Sequence, residues 1–289
     1  MKKLARLVRY LQHAYVDLRL FATGKADPDL PPLRLRFVGA GDFRTTGEHL
    51  ADLLRDVGGL SPSHHVLDMG CGVGRVALAL RTRLGPAGRY EGFDVVQPWV
   101  RWCQRHISRC DPRFSFRHAP VQNPEYNPRG IRATEYHFPY APARFDLAFA
   151  TSLFTHLAVE ETAHYLAEAA RVLAPEGRLV ASFFLLDERA AVHPPTPGFE
   201  FPVDLGRYHL RSAENPADAI ALDRTLLDEL LAGAGLELLA FHPGAWCGGT
   251  GLSFQDFIVA RPASPSAERP SPRAISNPPA TGAASRSSG

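Results

Sequence analysis

The stretch from His65 to Arg75 constrains the fold more than any other part of the chain. A short apolar run ends in Asp68, glycines stand at 70, 72 and 74, and a helical stripe of Val76, Ala77, Leu80 and Leu84 follows. Glycines there permit a tight turn from strand into helix and remove the Cβ atoms that would keep a ligand off the backbone. Downstream the pattern repeats. Apolar strands are predicted at 66–69, 90–94, 114–118, 145–150, 178–184, 236–241 and 254–260. Between the second and third, Pro98 opens a helix striped by Trp99, Trp102, Cys103, His106, Ile107 and Cys110. Further helices are predicted at 159–173, stopping before Pro175-Glu176-Gly177, and at 223–234 with Asp223 as N-cap. Such alternation implies an α/β fold, a Rossmann-like doubly wound sheet of seven mostly parallel strands. The last two strands have no helix between them and should form an antiparallel pair at one edge.

Ahead of this unit, Leu4, Leu7, Val8, Leu11, Ala14, Tyr15 and Leu18 repeat at helical spacing with basic residues mainly opposite. The stripe predicts a helix docked on the domain or acting as a lid, with attachment to a membrane surface or partner as the alternative. A Pro-rich connector (Pro28, Pro31, Pro32) follows, and a second helix opens where Thr45 and Glu48 have capping-box spacing. Leu50, Leu53, Leu54 and Val57 stripe that helix, and Gly58-Gly59 ends it. Two stretches with five prolines each, 119–143 and 187–222, break the rhythm after strands, where loops of a doubly wound sheet reach the ligand crevice. From Pro262 onward, 21 of 28 residues are Pro, Ser, Ala or Gly, a composition that predicts disorder. The expected organisation is therefore a helix and connector over 1–32, one domain over 33–261 with the two insertions, and a disordered tail over 262–289.

Net charge is +2, but the first twenty residues carry +4 and the tail +2, which leaves −4 for the middle. A slightly acidic body is a poor match for a nucleic-acid duplex and a better one for a small-molecule enzyme. The four cysteines form neither a C-x-x-C pair nor a disulfide framework, as in a cytoplasmic protein. No apolar run has the roughly 20 residues of a membrane span.

Asp68, closing the first strand, can accept hydrogen bonds from a ligand ammonium or a bridging water. Asp94 closes the second strand twenty residues beyond Gly74 and can accept from both hydroxyls of a ribose. This constellation resembles the class I S-adenosylmethionine-dependent methyltransferases, whose first motif is an acid, one residue, then alternating glycines. The pair Phe145-Asp146 leading to Thr151-Ser152 resembles their fourth strand, and the 171–180 run their fifth with its preceding helix and turn. The resemblance covers about 60–260 and implies S-adenosyl-L-methionine as cofactor, held by Asp68, Gly70, Gly72, Gly74, Asp94 and Thr151. Where many relatives carry an acid for the adenine amino group, this chain has Pro120, which offers neither carboxylate nor N–H. Adenine would then pack against Val95 and Val121 or meet the Gln122 amide.

The rival is a nicotinamide dinucleotide site, whose fingerprint places its third glycine where this chain has Arg75. A non-catalytic cofactor-binding partner protein is the third reading. Under the methyltransferase reading, the acceptor is an oxygen or nitrogen of a small or medium metabolite. His156 is the base candidate by position, with a backbone-bonded helix-start residue as its structural alternative. His193, Tyr208 and His209 in the second insertion could face the acceptor, with Phe37, Phe43 and Tyr140 as pocket walls, while Arg75 could touch the donor's carboxylate. Twelve histidines make no His-x-x-x-His pair, so no metal is expected.

Overall fold

In a computed structural model that describes residues 2–36, 41–123 and 127–264, with side chains from residue 8 onward, the chain opens with a long helix, α1 (Lys2–Ala22). Phe37 and the tail from residue 265 lie outside the described residues. The second helix, α2 (Phe43–Asp56), is capped one turn earlier than its Thr45–Glu48 spacing suggests. The Asp42 carboxylate accepts from Thr45 N at 2.9 Å and Thr45 Oγ1 at 3.0 Å. An ionised acid at the N-cap also complements the helix dipole, which a threonine does not.

The α/β unit then runs β1 (His65–Met69), α3 (Arg75–Leu80), β2 (Arg89–Asp94), α4 (Gln97–Cys103), β3 (Phe114–His118), β4 (Phe145–Ala150), α5 (Val159–Val172) and β5 (Leu173–Phe183). After it come β6 (Leu185–Leu186), α6 (Glu188–Val192), β7 (Val203–Asp204), β8 (Tyr208–Leu210), β9 (Ile220–Asp223), α7 (Arg224–Gly233), β10 (Leu236–His242) and β11 (Asp256–Pro262). Seven strands form one sheet in the order β10-β11-β5-β4-β1-β2-β3, with β11 antiparallel to both β5 and β10. Strand residues alternate between two cores. Leu67, Met69 and Ala148 join one cluster with helices α5 and α7, while Val66, Leu147 and Phe149 join the other with α2, α3 and α4.

Three local expectations are corrected. Strand β5 begins directly at the end of α5: Leu173 pairs with Phe145, then the register shifts so that Arg178 pairs with Leu147, and Pro175-Glu176-Gly177 form a bulge within the strand. The helix opened by Pro98 widens into a π-turn over Gln104–Ser108, which seats Ile107 and Cys103 against the glycine loop. Asp223 occupies the N-cap position of α7 without a side-chain capping bond.

The larger correction is in 187–222. Instead of a loop, β7, β8 and β9 from this stretch join β6 just before it in a second sheet, order β6-β9-β8-β7. Its apolar side packs Phe184, Ala219 and Ala221 against Trp246 and Cys247 from the connection between β10 and β11. The 119–143 insertion also contributes to the core. Phe138 packs tilted against Phe93 and edge-on to Tyr165, with ring centroids 4.9 and 5.1 Å away.

Candidate functional site

Parallel strands β1, β2 and β4 deliver Asp68, Asp94 and Thr151 to one end of the sheet, where the glycine loop connects β1 to α3. All three loop glycines have positive φ. Gly74 (φ +79) is also sterically required, since a Cβ there would stand 2.8 Å from Ile107 Cδ1 and 3.0 Å from Cys103 Sγ. Gly72 (φ +55) differs: an added Cβ would meet nothing within 4 Å, so the backbone faces open space there. A glycine with room around it is what close approach of a ligand requires.

Both acids are buried. Asp68 accepts from the Tyr90 hydroxyl at 2.5 Å, and burial pushes its carboxyl up to about 8, against the opposing effect of that bond. Asp94 accepts from Gly72 N and Val96 N, each at 2.8 Å. Burial still lifts its carboxyl to about 6, because two backbone N–H groups only partly replace lost hydration. The Gly72 bond ties the ribose-candidate acid directly to the open part of the glycine loop. Two ionisable carboxyls held this way form an electrostatic sink for a cation that can follow them into the site.

The other predicted residues fall into two groups. Val95 and the buried Val121 share the cluster that includes Phe93, and Val121 is fixed by a bridge to Ile131. Gln122 is committed elsewhere, donating from Nε2 to Pro128 O at 3.3 Å. The Leu153 side chain lies 3.4 Å from where a Gly70 Cβ would be, so the segment after β4 lies beside the loop. His156 ends the single turn that follows and pairs through Nδ1 with Ala217 O at 2.9 Å. A carbonyl only accepts, so Nδ1 donates in this pairing and Nε2 is the ring nitrogen left to face a ligand.

Tyr140 lies at the wrong end of the sheet for the pocket. It packs edge-on to Phe145, the first residue of β4, at 5.0 Å. Phe43 is buried between the guanidinium groups of Arg36 and Arg75, 5.5 and 5.2 Å from its ring centroid. His209 is engaged in the second sheet with Phe201 O and Asp204, His193 is exposed at the end of α6, and Tyr208 is half-buried on β8. Two clefts of about 450 and 600 Å³ are lined by neither acid, although His118 of the larger one pairs with Asp94 across β2 and β3. One is bounded by Phe43, Arg44 and Arg113, the other by Arg117, His118 and Tyr136.

Sequence reasoning missed a polar cluster at this end of the sheet. Ser152 has φ 58 despite its Cβ, a conformation costing on the order of 1 kcal/mol. Its N–H donates to Ser182 Oγ at 2.7 Å, and both serine hydroxyls donate to Gln255 Oε1, at 3.0 and 2.7 Å. With Oε1 occupied twice, the Gln255 amide presents its N–H donors away from the serines. Below it, fully buried Asp256 accepts from Gly244 N, Leu185 N, Trp246 Nε1 and Arg189 Nη2 at 2.6 to 3.0 Å. No motif signals these residues, because three separate segments meet only in the fold.

Residues 66–177 match the family profile described as a methyltransferase domain. Among solved structures, the PH0226 protein from Pyrococcus horikoshii OT3 is 18% identical with a TM-score of 0.52, over 78% of this chain and 92% of that one. The cyclase SpnF is 20% identical with a TM-score of 0.51, over 77% of this chain and 85% of that one. The CcbJ methyltransferase from Streptomyces caelestis is 21% identical with a TM-score of 0.49, over 75% and 90% of the two chains. Strand order, glycine loop and profile match agree in likening residues 66–177 to a methyltransferase domain.

Proposed function

We propose that the chain moves a methyl group from S-adenosyl-L-methionine to an oxygen or nitrogen of a small or medium metabolite. The observation that carries this is the pairing of Asp94 with Gly72 N–H beside the open face of the loop, one strand away from buried Asp68. When bound, the donor supplies a methyl group on a sulfonium centre, open to in-line displacement. The residues present suit such a cation: Asp68 for its ammonium end, Asp94 for its ribose, and the Gly72 backbone for close approach. Val95 and Val121 offer an apolar wall for adenine in place of the acid that Pro120 displaces.

On the acceptor side, His156 Nε2 can take the proton that an attacking hydroxyl or ammonium must lose. Gln255 offers N–H donors to orient the acceptor. The same fold in the cyclase SpnF is a reminder that architecture does not fix the reaction, so turnover is the decisive measurement. Titration calorimetry should give saturable binding of the methyl donor and none of a nicotinamide cofactor. Asp94→Ala and Gly72→Val should each weaken donor binding at least about tenfold, through lost charge and a Cβ in the ligand's path at positive φ. A labelled-donor screen against metabolite extracts should yield a labelled small molecule that is lost in His156→Ala. Binding without any transfer would favour the non-catalytic reading.

A further inference from the structure

Helix α1 is mounted on the body through a narrow mixed face centred on Asp17. His13, Ala14, Asp17 and Leu20 are half-buried, and Asp17 forms the attachment, accepting from Leu33 N at 2.6 Å and from Arg34 N and Nη1 at 3.2 and 3.0 Å. Among the described residues, the large side chains of the apolar stripe point the other way. Leu11 is 57% exposed, Tyr15 62%, Leu18 64% and Phe21 78%, with Val8 beside them. Four large side chains left in water along one helix face form a patch that a solitary domain does not normally carry. The stripe therefore neither docks the helix on the domain, as its periodicity suggests, nor covers the glycine loop.

We propose that α1 is an in-plane anchor for an anionic lipid surface. Charge selects this occupant. Lys2, Lys3, Arg6, Arg9 and Arg19 belong to the helix, and its one acid, Asp17, is already committed to Arg34. Anionic headgroups neutralise this basic set, which a second copy of the same basic helix, carrying no anionic group to offer it, does not. Tyr10 and Tyr15 add rings suited to the headgroup level. A helix of 21 residues, about 30 Å long, lies along such a surface, and no described helix is long and apolar enough to cross a membrane.

The test is co-sedimentation of the full chain with phosphatidylcholine vesicles, with and without phosphatidylserine, at low and high salt. Binding should require phosphatidylserine and weaken in high salt. The double variant Leu11→Glu/Leu18→Glu should lower the partition coefficient at least about tenfold. Because both side chains are exposed, its melting temperature and donor affinity should match the parent chain. Equal binding to neutral and anionic vesicles, or to neither, overturns the proposal. So does a parent dimer that the double variant converts to monomer, which would make the stripe a self-association face. Loss of donor binding in that variant overturns it as well, by making α1 a lid.

Discussion

Asp68 and Asp94 set the pH behaviour of this protein. Both carboxyls are raised by burial, to about 8 and about 6, above the ordinary value of 3.8 that they regain on unfolding. The native state therefore holds protons that the unfolded chain has already released. The stability this confers is complete below about pH 4 and is lost as pH rises through 6 toward 8. Thermal melts of the ligand-free protein should show a lower midpoint at pH 8 than at pH 6. Donor affinity should run oppositely, since a cation favours the ionised acids. It should climb by up to about tenfold per pH unit until Asp68 is ionised near 8, then level off, and Asp68→Asn should flatten that climb. Both acids are legible in the sequence because each closes a strand beside a glycine loop or at a ribose distance from it. The shift in their titration is not legible, because it depends on how much water the surrounding strands exclude.

Among the elements, the connection between β10 and β11 has the most to lose. Asp256 satisfies four donors from the start of β6, the α6 arginine and its own hairpin connection, all in a fully buried position. Asp256→Ala would strand three N–H groups and leave Arg189 with Asp187 as its remaining carboxylate partner, at a cost of about 3 to 5 kcal/mol in urea unfolding. Sequence periodicity locates β11 well, and its register against β5 places Asp256 opposite Phe183. The second sheet was illegible for a related reason. Strands β6, β7 and β8 have two or three residues each, too few for an alternation to emerge between prolines. Their pairing is enforced by Phe184, Phe201 and Trp246, the tryptophan brought in from a segment more than forty residues beyond the two phenylalanines. The bulge at 174–177 is of the same kind, since Pro-Glu-Gly is a turn signal that β4 overrides by pairing with both flanks.

For the molecule as a whole, these contacts make the second sheet part of one cooperative unit rather than a loosely attached insert. Leu222 N donates to Phe184 O at 2.9 Å, so β9 continues the chain direction set by β5. Native-state hydrogen exchange should find the Leu222 amide opening with the amides of β5, not earlier. By itself the sequence determined the α/β class, the seven strands of the main sheet, the antiparallel edge and the glycine loop between two acids, because all of these are written in local periodicity and turn chemistry. It could not determine the orientation of α1, since an amphipathic stripe specifies that a face is apolar and not what it meets. It could not determine the Ser152–Ser182–Gln255 cluster or the Asp256 hub either. Those are properties of distance in space, and only tertiary packing decides which distant side chains converge and how much water is left between them.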